Sequence, residues 1–241
     1  MLTITDNIIL NSLIALLTAV AVALITTPIV KAIAPHIGAV DVPKDNRRMH
    51  TKPMPLCGGI AIFLGFSVAM LLFSEMTAES WGIWLGGLAI VILGVVDDIF
   101  NLNAKLKFFL QFVATLIPVC FGLTMEHINV FGHNLHLGIF AYPLTLLWIV
   151  ALTNAVNLID GLDGLACSVT AVGSVALFAV GIVISSPAIM ITSASLFGAC
   201  IGFLPYNFNP AKIFMGDTGA MFLGYIVATL SVYGFYQQPT T

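Results

Sequence analysis

The sequence predicts an all-α protein: a polytopic transmembrane helix bundle of about eight spans, with a short β-hairpin on its outer face. Three observations predict it. Hydrophobic residues make up 59% of the 241-residue chain and charged residues 8%, with a mean hydropathy of +1.06, whereas soluble domains carry ~25% charge. Apolar stretches near the ~20 residues that cross a bilayer recur along the whole chain. The charges are segregated, with every Lys and Arg at alternate turns between those stretches.

The spans fall at 8–34, 57–74, 81–100, 105–123, 141–158, 165–185, 187–205 and 217–236. The first follows Asp6 rather than a basic leader, and it is longer than a signal-peptide core of ~7–15 residues, so it is expected to be an uncleaved helix. Pro43, Pro53 and Pro55 with Gly58-Gly59 then predict an ordered extended loop before the second span. Pro28 and Pro118 lie inside the first and fourth spans as kinks that a bundle tolerates. Residues 124–140 alternate with period two around Gly132-His133-Asn134, which predicts the hairpin. With no internal repeat, residues 1–241 read as one domain.

Lys31, Lys44, Arg47, Arg48, Lys52, Lys105, Lys107 and Lys212 all flank odd-to-even turns, whereas the opposite turns hold Glu75, Glu79 and Glu126. Short cytoplasmic loops are enriched in Lys and Arg, which puts the N-terminus outside and the basic turns in the cytoplasm. A net charge of -3 excludes the basic stripe of a nucleic-acid binder. Cys57, Cys120, Cys167 and Cys200 form no C-x-x-C pair and read as small core residues.

Seven carboxylates share the basic face: Asp41, Asp45, Asp97, Asp98, Asp160, Asp163 and Asp217. Acids beside fixed cations suit a metal ion and phosphates. Asp97 and Asp98 close the third span, where adjacent carboxylates repel unless a cation relieves them; a solvated helix end is the plainer alternative. In TNAVNLIDGLDGLA, Asn154, Asn157, Asp160 and Asp163 recur every three residues, so helical geometry would line them on one side. That stripe would serve a ligand, or glue helices together. Asp217, between Gly216 and Gly219, reads as a helix N-cap alone and as a hard-metal ligand if it faces the other acids. In the first loop Asp41, Arg47, Arg48 and His50 suit phosphate contact, or anchor the loop on anionic lipid. His127, His133 and His136 in the hairpin read as solvated strand residues.

Taken together, the DD ending a span, NLIDGLDGLA and NPAKIFMGDTG resemble the polyprenyl-phosphate N-acetylhexosamine-1-phosphate transferase family, across about Asp41 to Tyr225. The wording of these motifs is most similar to the bacterial undecaprenyl-phosphate GlcNAc-1-phosphate transferases that begin teichoic-acid linkage, O-antigen and related envelope polysaccharides. The resemblance implies a bacterial cytoplasmic (inner) membrane enzyme that depends on magnesium, with manganese as a substitute. It would transfer GlcNAc-1-phosphate from UDP-GlcNAc to undecaprenyl phosphate, releasing UMP, on the cytoplasmic face. By motif, Asp217 resembles the metal ligand, and Asn157 a residue near the metal and pyrophosphate. Asp97 and Asp98, with Asp160, resemble the catalytic acids, and Asp97 the one that deprotonates or orients the lipid phosphate. Lys107 matches a phosphate-contacting lysine, Phe214 and Asp163 match uracil contacts, and Asp41, Arg47 and His50 fall in the first cytoplasmic motif. A homodimer is expected on the same ground.

Family members usually continue for further spans and a histidine-rich cytoplasmic loop, so the chain reads as C-terminally truncated. Competing expectations are the phospho-MurNAc-pentapeptide branch of the same family, a non-catalytic fragment, and an ion-coupled transporter. The acids' placement at span ends argues against the transporter, whose sites lie near the midplane.

Overall fold

The computed structural model describes residues 7–42, 53–130 and 133–236. Among these residues the helices are α1 (Ile8–Ile33), α2 (Gly59–Phe73), α3 (Ala78–Phe100), α4 (Ala104–Cys120), α5 (Ala141–Ile159), α6 (Leu165–Val183), α7 (Pro187–Asn207) and α8 (Gly216–Tyr236). Their ends match the apolar stretches to within three residues. Two antiparallel pairs complete the chain: β1 (Val40–Asp41) with β2 (Met54–Pro55), and β3 (His127–Val130) with β4 (His133–His136). The second pair is the expected hairpin. The first joins the two described ends of the first loop, whose residues 43–52 lie outside the described residues, and Leu56 N donates to Ala39 O at 2.9 Å to continue it.

By length and composition α1, α3, α5, α6 and α7 are long and apolar enough to cross a membrane. The chain is a multi-pass membrane protein. Of the remaining helices, α2 has 15 residues and α4 has 17; at ~1.5 Å rise per residue they fall short of the ~30 Å hydrocarbon core. The last, α8, is the hub. It packs against α2, α3, α5, α6 and α7, and Ala220, Met221, Phe222, Leu223, Tyr225 and Ile226 are fully buried. Exposed apolar residues lie at the periphery instead, such as Phe108 and Phe109 of α4 and Val172 of α6.

Helices in a bilayer gain nothing from hiding apolar side chains from lipid, so close backbone approach at small residues has to hold them together. In α1, Ala15, Ala19 and Ala23 repeat every fourth position and are fully buried. Gly65 of α2 faces Ala19 O, and Gly198 and Gly202 of α7 face Leu16 O and Val20 O. The same device seats α8. A Cβ at Gly94 of α3 would overlap the Thr218 backbone, and one at Gly59 of α2 would overlap the backbone of Gly219. Side chains also hydrogen-bond across helices, such as Trp84 Nε1 to Ser67 Oγ at 3.0 Å and Trp148 Nε1 to Ser231 Oγ at 2.9 Å.

Because the Gly59 contact is backbone on backbone, no rotamer change can relieve it. Gly59→Ala should destabilise the fold by about 1–3 kcal/mol, the usual cost of overpacking, read as a lower thermal unfolding midpoint in detergent. An unchanged midpoint would show that α2 and α8 do not approach this closely.

A charged centre where four helices meet

The centre is built around the start of α8. The first amides of a helix have no partner within it, and the positive end of the helix dipole favours an anion there. Asp98, in the last turn of α3, supplies that anion from another helix. Its Oδ1 accepts from Asp217 N at 2.8 Å, and its Oδ2 accepts from Thr218 N at 3.3 Å and Thr218 Oγ1 at 2.6 Å. Gly216 precedes these amides with a left-handed φ of +71°, and a Cβ there would stand 2.7 Å from the Asp98 carboxyl carbon. With Asp98 as the cap, the Asp217 side chain is released from capping.

Asp217 is instead the meeting point of three helices. Its Oδ1 accepts from Lys107 Nζ of α4 at 2.5 Å and from Asn157 Nδ2 of α5 at 2.7 Å. Lys107 Nζ also lies 2.8 Å from Asp97 Oδ2 of α3. Asp97 is 5% exposed, and its Oδ1 accepts from Leu102 N at 2.8 Å. The tight α3–α4 turn sets this geometry. Asn101 takes a left-handed φ of 56° and ends α3, and Asn103 Oδ1 caps α4 by accepting from Leu106 N at 2.8 Å. Lys107 follows immediately, one turn into the helix.

The stripe expected through residue 163 is interrupted. α5 ends at Ile159, so Asn154 and Asn157 remain on its face while Asp160 to Gly164 form a turn. Asp160 is half-buried. Burial first, and then the charges of Asp217 and Asp98, push its carboxyl up to about 7. Asp163 turns to the α7–α8 connection, where its Oδ2 accepts from Asn209 Nδ2 at 3.2 Å and Ala211 N at 3.0 Å.

Asn207, which the sequence reading passed over, fastens the same connection from beneath. It is buried, accepts from Gly164 N at 3.2 Å and donates to Ile213 O at 3.1 Å. Its only signal was an amide in PYNFNP at the end of an apolar span. Further on, Phe214 N donates to Pro55 O at 2.9 Å, Gly58 N to Phe214 O at 3.0 Å and Gly59 N to Met215 O at 3.0 Å. The chain leading into α8 is thus laced to the chain leading into α2.

The structure therefore brings Asp97, Asp98, Lys107, Asn157 and Asp217 into contact, with Asp160 within electrostatic reach. Phe214 and Asp163 lie on the two adjoining connections. Asp41 lies in β1, at the start of the first loop, and Arg47 and His50 fall outside the described residues. Cys57 is fully buried beside Asp98 and Thr218, and burial foremost pushes its thiol up to about 12, so it remains a neutral packing group. His127 and His136 pair across the ribbon with ring centroids 4.8 Å apart, whereas His133 pairs with Val130 farther along. Among the described residues no group of three His, Cys, Asp or Glu is poised for a metal.

Fold and site together define an integral membrane protein whose charged centre sits where the ends of several helices meet. Residues 80–235 match the family described as Glycosyl transferase family 4. The chain belongs to that family. It is 45% identical, over 98% of its length and 66% of the relative's, to a "Probable undecaprenyl-phosphate N-acetylglucosaminyl 1-phosphate transferase" of Bacillus subtilis. It is 36% identical, over 89% of its length and 58% of the relative's, to a "Decaprenyl-phosphate N-acetylglucosaminephosphotransferase" of Mycobacterium tuberculosis. A "Phospho-N-acetylmuramoyl-pentapeptide-transferase" of Clostridium botulinum is 35% identical over 80% of this chain and 64% of that one. The chain thus spans 58–66% of the length of these curated relatives.

The capping carboxylate and the one that meets Lys107 should separate experimentally. Asp98→Ala leaves two α8 amides and a hydroxyl without their acceptor and should cost about 1–3 kcal/mol, lowering the thermal midpoint. Asp217→Ala removes a part-exposed carboxylate and leaves Lys107 paired with Asp97, so it should lower the midpoint less. Equal losses would show that Asp98 has no special part in holding α8.

Proposed function

We propose that this chain carries the transferase centre of a polyprenyl-phosphate GlcNAc-1-phosphate transferase, moving GlcNAc-1-phosphate from UDP-GlcNAc to undecaprenyl phosphate and releasing UMP. The observation that supports this reading best is the convergence of Lys107 and Asn157 on one carboxylate oxygen of Asp217, with Asp97 behind the lysine. The name of the 45% identical relative favours GlcNAc as the sugar and a polyprenyl phosphate as the acceptor. On this reading the centre faces the cytoplasm of a bacterial inner membrane, the N-terminus lies outside, and the protein works as a homodimer.

In the reaction an oxygen of the lipid phosphate bonds to the β-phosphorus of UDP-GlcNAc, the pyrophosphate P–O bond breaks, and the electron pair leaves on UMP. Two anions must approach each other, so positioning and charge stabilisation make up most of the catalysis. An ammonium group has three donors; two of those on Lys107 point at Asp97 and Asp217, leaving one for a phosphate oxygen. Asp97 holds the lysine in place through Oδ2 while Leu102 N fixes Oδ1. A phosphate monoester, with its second pKa near ~6, arrives mostly ionised and needs no base to activate it. Asp97 is accordingly a group that orients Lys107. Phe214 and Asp163, on connections that are bonded to each other through Ala211, suit a uracil, one by stacking on its face and the other by hydrogen bonding to its edge.

The donors at this end fit a magnesium ion. They are hard carboxylate oxygens, and magnesium takes one or two carboxylates with phosphate oxygens and water rather than a cage of protein ligands. Asp217 would hold it, with Asp160 as a second oxygen donor, and Asn157 would steady Asp217. When bound, the ion supplies charge neutralisation for the facing phosphates.

UMP release from UDP-GlcNAc by the chain in detergent, with and without undecaprenyl phosphate and magnesium, tests the reading. Release that needs both lipid and metal is expected; release from neither combination would leave a binding role without turnover. Asp217→Asn should abolish the magnesium-dependent rate, and Asp97→Asn should lower turnover more than nucleotide affinity; wild-type rates in both would remove the proposed centre.

The raised Asp160 carboxyl adds a pH dependence. It is protonated, and a poor cation ligand, below about 7 and ionised above it. The magnesium concentration for half-maximal rate should therefore fall as pH rises through that value, and Asp160→Asn should flatten the curve. An unchanged curve in that variant would exclude Asp160 as the titrating group.

A further inference from the structure

One helical turn deeper in the bundle, the three helices that meet at Asp217 meet again. Gln111 follows Lys107 by four residues on α4, Asn154 precedes Asn157 by three on α5, and Met221 follows Asp217 by four on α8. Gln111 is fully buried. Its Oε1 accepts from Asn154 Nδ2 at 2.8 Å, its Nε2 approaches Met221 Sδ at 2.8 Å, and Asn154 Nδ2 also donates to Val150 O at 2.8 Å. The second layer repeats the first with neutral groups in place of charged ones.

Such a layer is expensive to keep. Surrounded by hydrocarbon, an unpaired amide costs far more than in water, and a thioether is a weak acceptor. An apolar residue of similar length would pack there at least as well, so stability alone does not account for the amide. Its placement does. The outer face of α4 is apolar and exposed at Phe108, Phe109, Phe112 and Val113, a surface that lipid cannot hold in one rotation. Toward α8, side chains of α4 form two hydrogen bonds one turn apart: Lys107 to Asp217 and Gln111 to Met221. Two points fix a rotation where one does not.

We propose that Gln111, with Asn154, is a positioning pair for the transferase centre: it sets the rotation of α4 against α5 and α8 so that Lys107 and Asn157 reach the same oxygen of Asp217. The inference rests on the transferase reading for its kinetic consequence, but its geometric part does not. Gln111 touches neither substrate nor metal and acts through Lys107. Catalytic geometry is sensitive at this scale, since an error near ~1 Å can cost ~100-fold in rate.

The experiment uses the full chain in detergent, as wild type, Gln111→Met, and the double variant Gln111→Met with Asn154→Leu. The single variant strips Asn154 of a partner and is expected to unfold at lower temperature; the double variant removes both polar members and is expected to regain the wild-type midpoint. Two readouts follow. One is acylation of Lys107 by an amine-directed reagent, located by mass spectrometry, which needs no substrate. The other is UMP release, resolved into turnover, nucleotide-sugar KM and the magnesium requirement. In the double variant, Lys107 labelling should rise several-fold and turnover should fall roughly tenfold or more, with nucleotide-sugar KM changed less than about twofold. Gln111→Asn, which keeps the amide but shortens its reach, should recover part of the lysine protection. A double variant as stable as wild type, with Lys107 equally protected and turnover intact, would overturn the proposal and leave Gln111 a packing residue. If wild type releases no UMP, the labelling arm still decides the positioning role, while the transferase reading fails separately.

Discussion

The Asp98 carboxylate seated on the first amides of α8 is the interaction on which the charged centre depends. Charge meets dipole across a helix–helix contact, at a point where Gly94 and Gly216 let the backbones close in. A helix buried on all sides cannot leave its N-terminal amides to water. Had Asp217 capped its own helix, as its position suggests, its carboxylate would face the backbone instead of Lys107 and Asn157. One acid is spent on structure so that the other is available for chemistry.

The remaining geometry follows from that seat. Lys107 stands between two acids from different helices, offsetting part of the charge on each, and remains part exposed at 18%. A lysine buried with one acid would form a closed pair of little use to a ligand. Shared between two, its position is fixed while one donor stays uncommitted. On the proposed reading, a phosphorylated lipid would meet a fixed positive charge here.

Much of this was legible in the sequence. Helix ends followed from composition because the bilayer fixes the length of an apolar run, and the charge asymmetry grouped the polar turns. The DD, NLIDGLDG and MGD segments could be placed at one end of the bundle by alternation alone. What the sequence could not separate was Asp97 from Asp98. Adjacent on a helix, they point in directions that differ by about a quarter turn or more, so one caps α8 and the other holds Lys107. Nor could period three survive past Ile159, because α5 ends there and the turn before α6, closed by Gly164 with its left-handed φ, sends Asp163 toward Asn209. Asn207 and Gln111 were invisible for a different reason: a single amide in an apolar span has no pattern, and only its partners give it meaning.

The main-chain bonds joining Pro55, Gly58 and Gly59 to Phe214 and Met215 have a consequence for how this architecture can diversify. Two segments more than 150 positions apart in the chain behave as a single stretch of backbone, read by no side chain. The bonds themselves are indifferent to side chains, although the close approach admits no Cβ at Gly59, and an insertion or deletion in either segment shifts the register of both. Exchange of loops between relatives would therefore succeed only when both strands of this seam travel together, so that the unit of recombination is defined by the seam and not by contiguous sequence.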